Sequence, residues 1–257
     1  MPTETISIRT RDGDCPAFAV RPDGTGPWPG VILFMDAGGI RPAVVGMAER
    51  LAHAGYLVLL PDMFYRYGSY GPFVPRDVFA GNFRAILGPL VATTGNDKAA
   101  ADCEAFIAWF DARDDVAGTR LGAVGFCMGG GMALAAAATW PDRFAAVASY
   151  HGGNLATDLP TSPHRLVQHL QAEVLVAAAS DDASYPPAMA ERFEAALTDA
   201  GVAFTSETYP AAHGWMKPDF PVYDEAQADR GWAALLALFD RTLGFDRHQP
   251  DSRADCR

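Results

Sequence analysis

Residues 122–131 read Gly122-Ala123-Val124-Gly125-Phe126-Cys127-Met128-Gly129-Gly130-Gly131. They stand where a buried apolar run, Arg120–Gly125, passes without a linker into an Ala-rich helical stretch, Met128–Thr139. Gly125 and Gly129 flank Cys127 at minus two and plus two, the spacing of a nucleophile elbow. A residue on so sharp a strand-to-helix turn takes a strained backbone, and the positions two away must be small for strand and helix to pass. The side chain then projects above the sheet. The next backbone N–H, that of Met128, lies at a helix N-terminus, where it can stabilise a developing oxyanion and favour a thiolate. Two blander readings compete. Gly-rich strand–helix turns also bind phosphate, although neither GxGxxG nor GK[ST] occurs at the required offsets. A cysteine there can also be no more than a small packing residue.

Outward from this turn the chain alternates. Toward the N-terminus, Thr5–Thr10 and Cys15–Arg21 read as a hairpin around Arg11–Asp14, and Val31-Ile32-Leu33-Phe34-Met35 is a continuous apolar run ending in Asp36-Ala37-Gly38-Gly39. Ala43–Ala54 has helical spacing with Gly55 as its stop, and Leu57–Leu60 is a further buried strand closed by Pro61-Asp62. Asp97–Ala112 is an amphipathic helix. Beyond the elbow come strands Phe144–Tyr150, Val174–Ala178 and Ala203–Tyr209, with helices Pro187–Ala200 and Asp224–Leu243. Such alternation implies a mainly parallel, twisted sheet with helices on both faces. Residues 64–95, rich in Gly, Pro and aromatics, break the rhythm and read as a long excursion over one sheet edge, a cap or pocket wall. Apolar segments recur without a long polar linker, so residues 1–245 are expected to form one domain, with a polar, frayed tail over 246–257.

Composition narrows the function. The 257 residues are 49% hydrophobic with a net charge of −11, which supports a sizeable core and disfavours nucleic-acid or anionic-membrane partners. No stretch approaches a membrane span, and the polar N-terminus lacks the apolar segment of a signal peptide. Cys15, Cys103, Cys127 and Cys256 form no CxxC pair, and the six histidines form no HExxH or other tight ligand cluster. A reducing cytoplasm and a chain without metal or cofactor are therefore expected. Nothing marks an interface, which suits a monomer or weak homo-oligomer.

An acid and a histidine follow Cys127 in the order an elbow nucleophile requires. After strand Val174–Ala178 comes Ser180-Asp181-Asp182-Ala183-Ser184-Tyr185-Pro186, and after Ala203–Tyr209 comes Pro210-Ala211-Ala212-His213-Gly214-Trp215. Either aspartate could instead cap the next helix, and an isolated loop histidine is often only a surface residue.

Taken together, Gly125–Gly130, Asp182 with Pro186 four residues on, and Tyr209–Trp215 make the chain resemble the dienelactone hydrolase family, over nearly its whole length. The resemblance implies the three-layer α/β-hydrolase fold and a small ester or lactone as substrate, possibly anionic. It selects Asp182 over Asp181 as the third member of a Cys127, His213, Asp182 triad. It implies Met128 and Ala37 as backbone oxyanion donors, and Asp36, where relatives usually carry glutamate, as a modulator of the thiol. Members that cleave dienelactone hold its carboxylate with arginines. One of these positions is Lys217 here, and the second falls among Arg66, Arg76 and Arg84, with Arg76 preferred. The residues thus suggest a two-step acyl transfer. A silent ligand-binding protein on the same fold, or a redox-sensing Cys127, are the alternatives.

Overall fold

The computed structural model describes residues 1–244, so the tail expected over 246–257, with Cys256, lies outside the described residues. Eight strands form one sheet in the order β1-β2-β4-β3-β5-β6-β7-β8. They are β1 Thr3–Arg9, β2 Asp14–Val20, β3 Trp28–Phe34, β4 Leu57–Pro61, β5 Val116–Phe126, β6 Phe144–Tyr150, β7 Glu173–Asp181 and β8 Phe204–Ala212. β1 and β2 form the antiparallel hairpin, β2 runs antiparallel to β4, and every later pairing is parallel. β3, β4 and β6 are buried along their whole length, which is why these strands read as unbroken apolar runs rather than as alternation.

The chain reverses its direction of travel across the sheet after β4. Right-handed crossovers therefore put helix α1 (Pro42–His53) on one face and α4 (Asn96–Asp111), α5 (Met128–Thr139) and α6 (Pro187–Asp199) on the other. The closing helix α7 (Glu225–Thr242) joins α1, with the Arg50 guanidinium 4.9 Å from the Trp232 ring centre and paired to Asp229. This is the α/β-hydrolase architecture. Its reversal point lies between β3 and β5, where ligands of open α/β sheets bind beyond the strands' carboxyl ends.

Residues 64–95 are more regular than their composition suggests. They hold α2 (Pro75–Ala80) and α3 (Phe83–Val91). Pro75 supplies a preset first turn, and the Asn82 side chain caps α3 by accepting from the Ala85 N–H at 3.2 Å. Pro89 within α3 and several glycines hide this helical signal in the sequence. Strand β5 is also longer than its apolar core, because Trp28 of β3 pairs with Val116 well before the buried run begins. No helix among the described residues is long and apolar enough to cross a membrane.

Candidate active site

Cys127 follows β5 directly and has φ 54° and ψ −117°, a left-handed conformation that costs a β-substituted residue roughly 1–3 kcal/mol. Neighbours on both sides hold it there. Its N–H donates to Tyr150 O at 3.0 Å, and its carbonyl accepts from the Gly130 N–H at 3.0 Å as α5 begins. Register explains the next partner. Phe34 of β3 pairs with Gly125 of β5, so the residues just beyond them, 35–37 and 126–128, run side by side. The N–H groups of Ala37 and Met128 both reach the Cys127 sulfur, one from each strand end.

Asp182 and His213 follow β7 and β8 in the same way. Asp181 pairs with Ala212, so the next residue on each strand is brought together, and the His213 N–H donates to Asp181 O at 3.1 Å. His213 Nδ1 lies 2.6 Å from Asp182 Oδ2. Asp182 Oδ1 accepts from the Ser184 N–H at 2.8 Å and hydroxyl at 2.6 Å, so both carboxylate oxygens are committed. The Asp182 side chain is 2% exposed and that of His213 30%, so the acid is enclosed while the imidazole remains open to the cavity. Asp181 is exposed.

The electrostatics follow from these contacts. Burial alone would raise the Cys127 pKa, but the hydrogen bond and charge of His213 and the two backbone N–H groups outweigh it and lower the pKa from 9.0. Burial alone would lower that of His213. Its hydrogen bonds to Asp182 and Cys127 prevail and raise it to about 10. Both shifts run toward a thiolate–imidazolium pair and away from a neutral thiol beside a neutral imidazole. Iodoacetamide alkylation of Cys127, followed by mass spectrometry against pH, is expected to have its midpoint below 9.0. Cys15 and Cys103, buried and with raised pKa values, should stay unlabelled in the folded protein. A Cys127 midpoint at or above that of a free thiol would remove the activated nucleophile.

A family model for the dienelactone hydrolase family matches residues 15–243. The chain belongs to the dienelactone hydrolase family. Its membership makes it a hydrolase, and curated relatives agree along its length. One from Salmonella typhi, provisionally named a carboxymethylenebutenolidase, is 32% identical over 91% of this chain and 85% of its own. A second from Escherichia coli K12, named in the same provisional way, is 31% identical over 93% and 86%. A crystal structure from Klebsiella pneumoniae, provisionally described as a dienelactone hydrolase, superimposes with a TM-score of 0.82 at 27% identity, covering 93% of this chain and 98% of that one.

Within this dienelactone hydrolase framework a cavity of about 610 Å³ opens over Cys127, Asp182 and His213. Asp36 and Ala37 line it too, but the Asp36 carboxylate is turned to other partners. Oδ1 accepts from the Gly38 N–H at 2.6 Å and from Arg41 Nη1 at 3.0 Å, and Oδ2 pairs with the Lys217 ammonium. Arg41 also grips Asp219, with Nε 2.6 Å from Oδ2 and Nη2 3.2 Å from Oδ1. Burial drives the Lys217 pKa down, and the charge of Asp219 opposes this. Lys217 is 1% exposed and does not line the cavity.

None of the three candidate arginines lines it either. Arg66 is bound to Asp12 and, through two nitrogens, to Asp102. Arg76 lies exposed on α2, and Arg84 lies exposed on α3 with its guanidinium 5.8 Å from the Phe83 ring centre. Sequence reasoning missed Ser184, although a serine two residues after an aspartate is an ordinary turn signal. It also missed Arg41 and Asp219, and His151, whose buried ring stands edge-on to His213 with centres 5.1 Å apart. Among the described residues no cluster of His, Cys, Asp or Glu is arranged to hold a metal ion.

Proposed function

We propose that the protein hydrolyses a small carboxylic ester or lactone through a thioester acyl-enzyme on Cys127. One observation carries the reading. The Cys127 sulfur meets the His213 imidazole and the N–H groups of Ala37 and Met128 together, from three separate strand ends. The thiolate attacks the acyl carbonyl, and the oxyanion takes over the hydrogen bonds of Ala37 and Met128. Collapse of the tetrahedral adduct expels the alcohol or enol oxygen, which His213 protonates. His213, now neutral and oriented by Asp182, removes a proton from water as it attacks the thioester carbonyl. Collapse of this second adduct breaks the C–S bond and restores the thiolate beside the imidazolium, and the acid product loses its proton to solvent.

Quench-flow mass spectrometry with p-nitrophenyl acetate tests the covalent step. An added acetyl group should map to the peptide that carries Cys127, and its absence during turnover would sink the acyl-enzyme. The choice between neighbouring acids has its own check. Asp182→Asn removes the carboxylate that fixes the His213 tautomer and is expected to lower kcat by roughly 10³–10⁴-fold. Asp181→Asn, at an exposed position, should stay within about twofold of wild type. The reverse ranking in steady-state assays would assign the role to Asp181.

A further inference from the structure

Charge is distributed around the cavity in a way that speaks to the substrate. Its titratable lining consists of Asp36, Asp182, Cys127 and His213, and neither lysine nor arginine contributes. Asp36 is already met by Arg41 and Lys217, and the one imidazole is shared by Asp182 and Cys127, so no cation in the lining is left for a ligand. The nearest enclosed cations belong to a closed cluster. Lys217 and Arg41 are consumed by Asp36 and Asp219, and Asp36 and Phe220 line the cavity where Lys217 does not.

The remaining wall is neutral and largely apolar. Phe83, Leu87 and Val91 present one face of α3, with Leu159, Phe220 and Met128 around them. Phe83, Val91 and Leu159 are 43%, 39% and 64% exposed, so the rim keeps apolar area in water that a bound apolar group would cover. Asn96, Asn154 and Thr157 add only uncharged polar groups.

Resting on the hydrolase reading above, we propose that the substrate is an uncharged ester or lactone bearing an apolar chain, and that carboxylate-bearing substrates are rejected. A carboxylate brought into this cavity leaves water without gaining a free cation, and it must compete with Asp182 and Cys127 for the one imidazole. Arg84, exposed beside Phe83 and outside the lining, is too well solvated to replace an enclosed anchor. The substrate's apolar chain lies along α3, and its carbonyl reaches the Ala37 and Met128 N–H groups.

The test compares p-nitrophenyl hexanoate with mono-p-nitrophenyl adipate, which share leaving group and chain length and differ by a terminal carboxylate. Wild-type kcat/KM is expected to favour the hexanoate by roughly a hundredfold or more. Lys217→Met should not narrow that ratio, because its charge is held by Asp36, while Val91→Lys, which adds a cation at an exposed lining position, should narrow it. Equal or preferential use of the adipate overturns the proposal, whether Lys217→Met or Arg84→Gln then abolishes the preference. Failure of the reaction reading looks different: neither ester is turned over, or turnover survives Cys127→Ala. Selectivity is then read as protection of Cys127 from iodoacetamide. Hexanamide should protect and adipamate should not, and protection by adipamate alone overturns the proposal.

Discussion

Cys127→Ala is expected to lower kcat toward p-nitrophenyl acetate by roughly 10⁴-fold or more, with folding unchanged. The size follows from what remains. Without the sulfur, His213 and Asp182 still form their pair and the Ala37 and Met128 N–H groups still converge, but no atom is placed to form the acyl bond. Residual rate can then come only from water held near the oxyanion donors, as happens when other hydrolases lose a nucleophile. Alanine should also relieve nothing, because its own Cβ keeps the strained φ of 54°. Unfolding by urea should therefore match wild type while activity collapses. Retention of more than about a tenth of the wild-type rate would show that another group attacks the substrate.

Gly125→Ala should destroy the fold rather than the chemistry. A Cβ at Gly125 would lie 1.8 Å from Gly129 O, 2.2 Å from Gly129 C and 2.7 Å from Gly130 N, all backbone atoms in the first turn of α5. No flexible side chain can yield, so the helix must move, carrying with it the Met128 N–H and the Cys127 backbone. The expected destabilisation is about 4 kcal/mol or more, seen as a lost or strongly shifted urea transition and poor recovery of folded protein. Gly46→Ala in α1 is the control. Its Cβ meets nothing within 4 Å, and the exchange should stabilise the helix by about 0.5–1 kcal/mol. If Gly125→Ala unfolds within about 1 kcal/mol of wild type, strand and helix do not pass as closely as described.

These two expectations explain why the elbow is legible in a linear chain. The crowding between β5 and α5 is local, so it leaves its demand for glycine within two residues of Cys127. Asp182 and His213 are legible for a related reason. Parallel strands deliver their following residues to one edge, and an acid or histidine directly after an apolar run is visible in order and position. The excursion over residues 64–95 was visible only as an interruption, since Pro75, Pro89 and scattered glycines erase the periodicity of α2 and α3.

The sequence by itself determined the alternating α/β architecture, the turn at Cys127, and the order in which Cys127, Asp182 and His213 leave the sheet. Each is written in short-range signals: apolar runs, helix periods, and glycines where backbones touch. Tertiary structure alone decided what surrounds them. Lys217 reads as a free cation four residues after His213, yet its charge is met by Asp36 from the other end of the chain, while Arg41 joins Asp36 to Asp219 across 178 residues. Whether a buried cation serves a ligand or a neighbouring carboxylate depends on which groups share its low-dielectric surroundings. Only the packing of the loops after β3 and β8 brings those groups together.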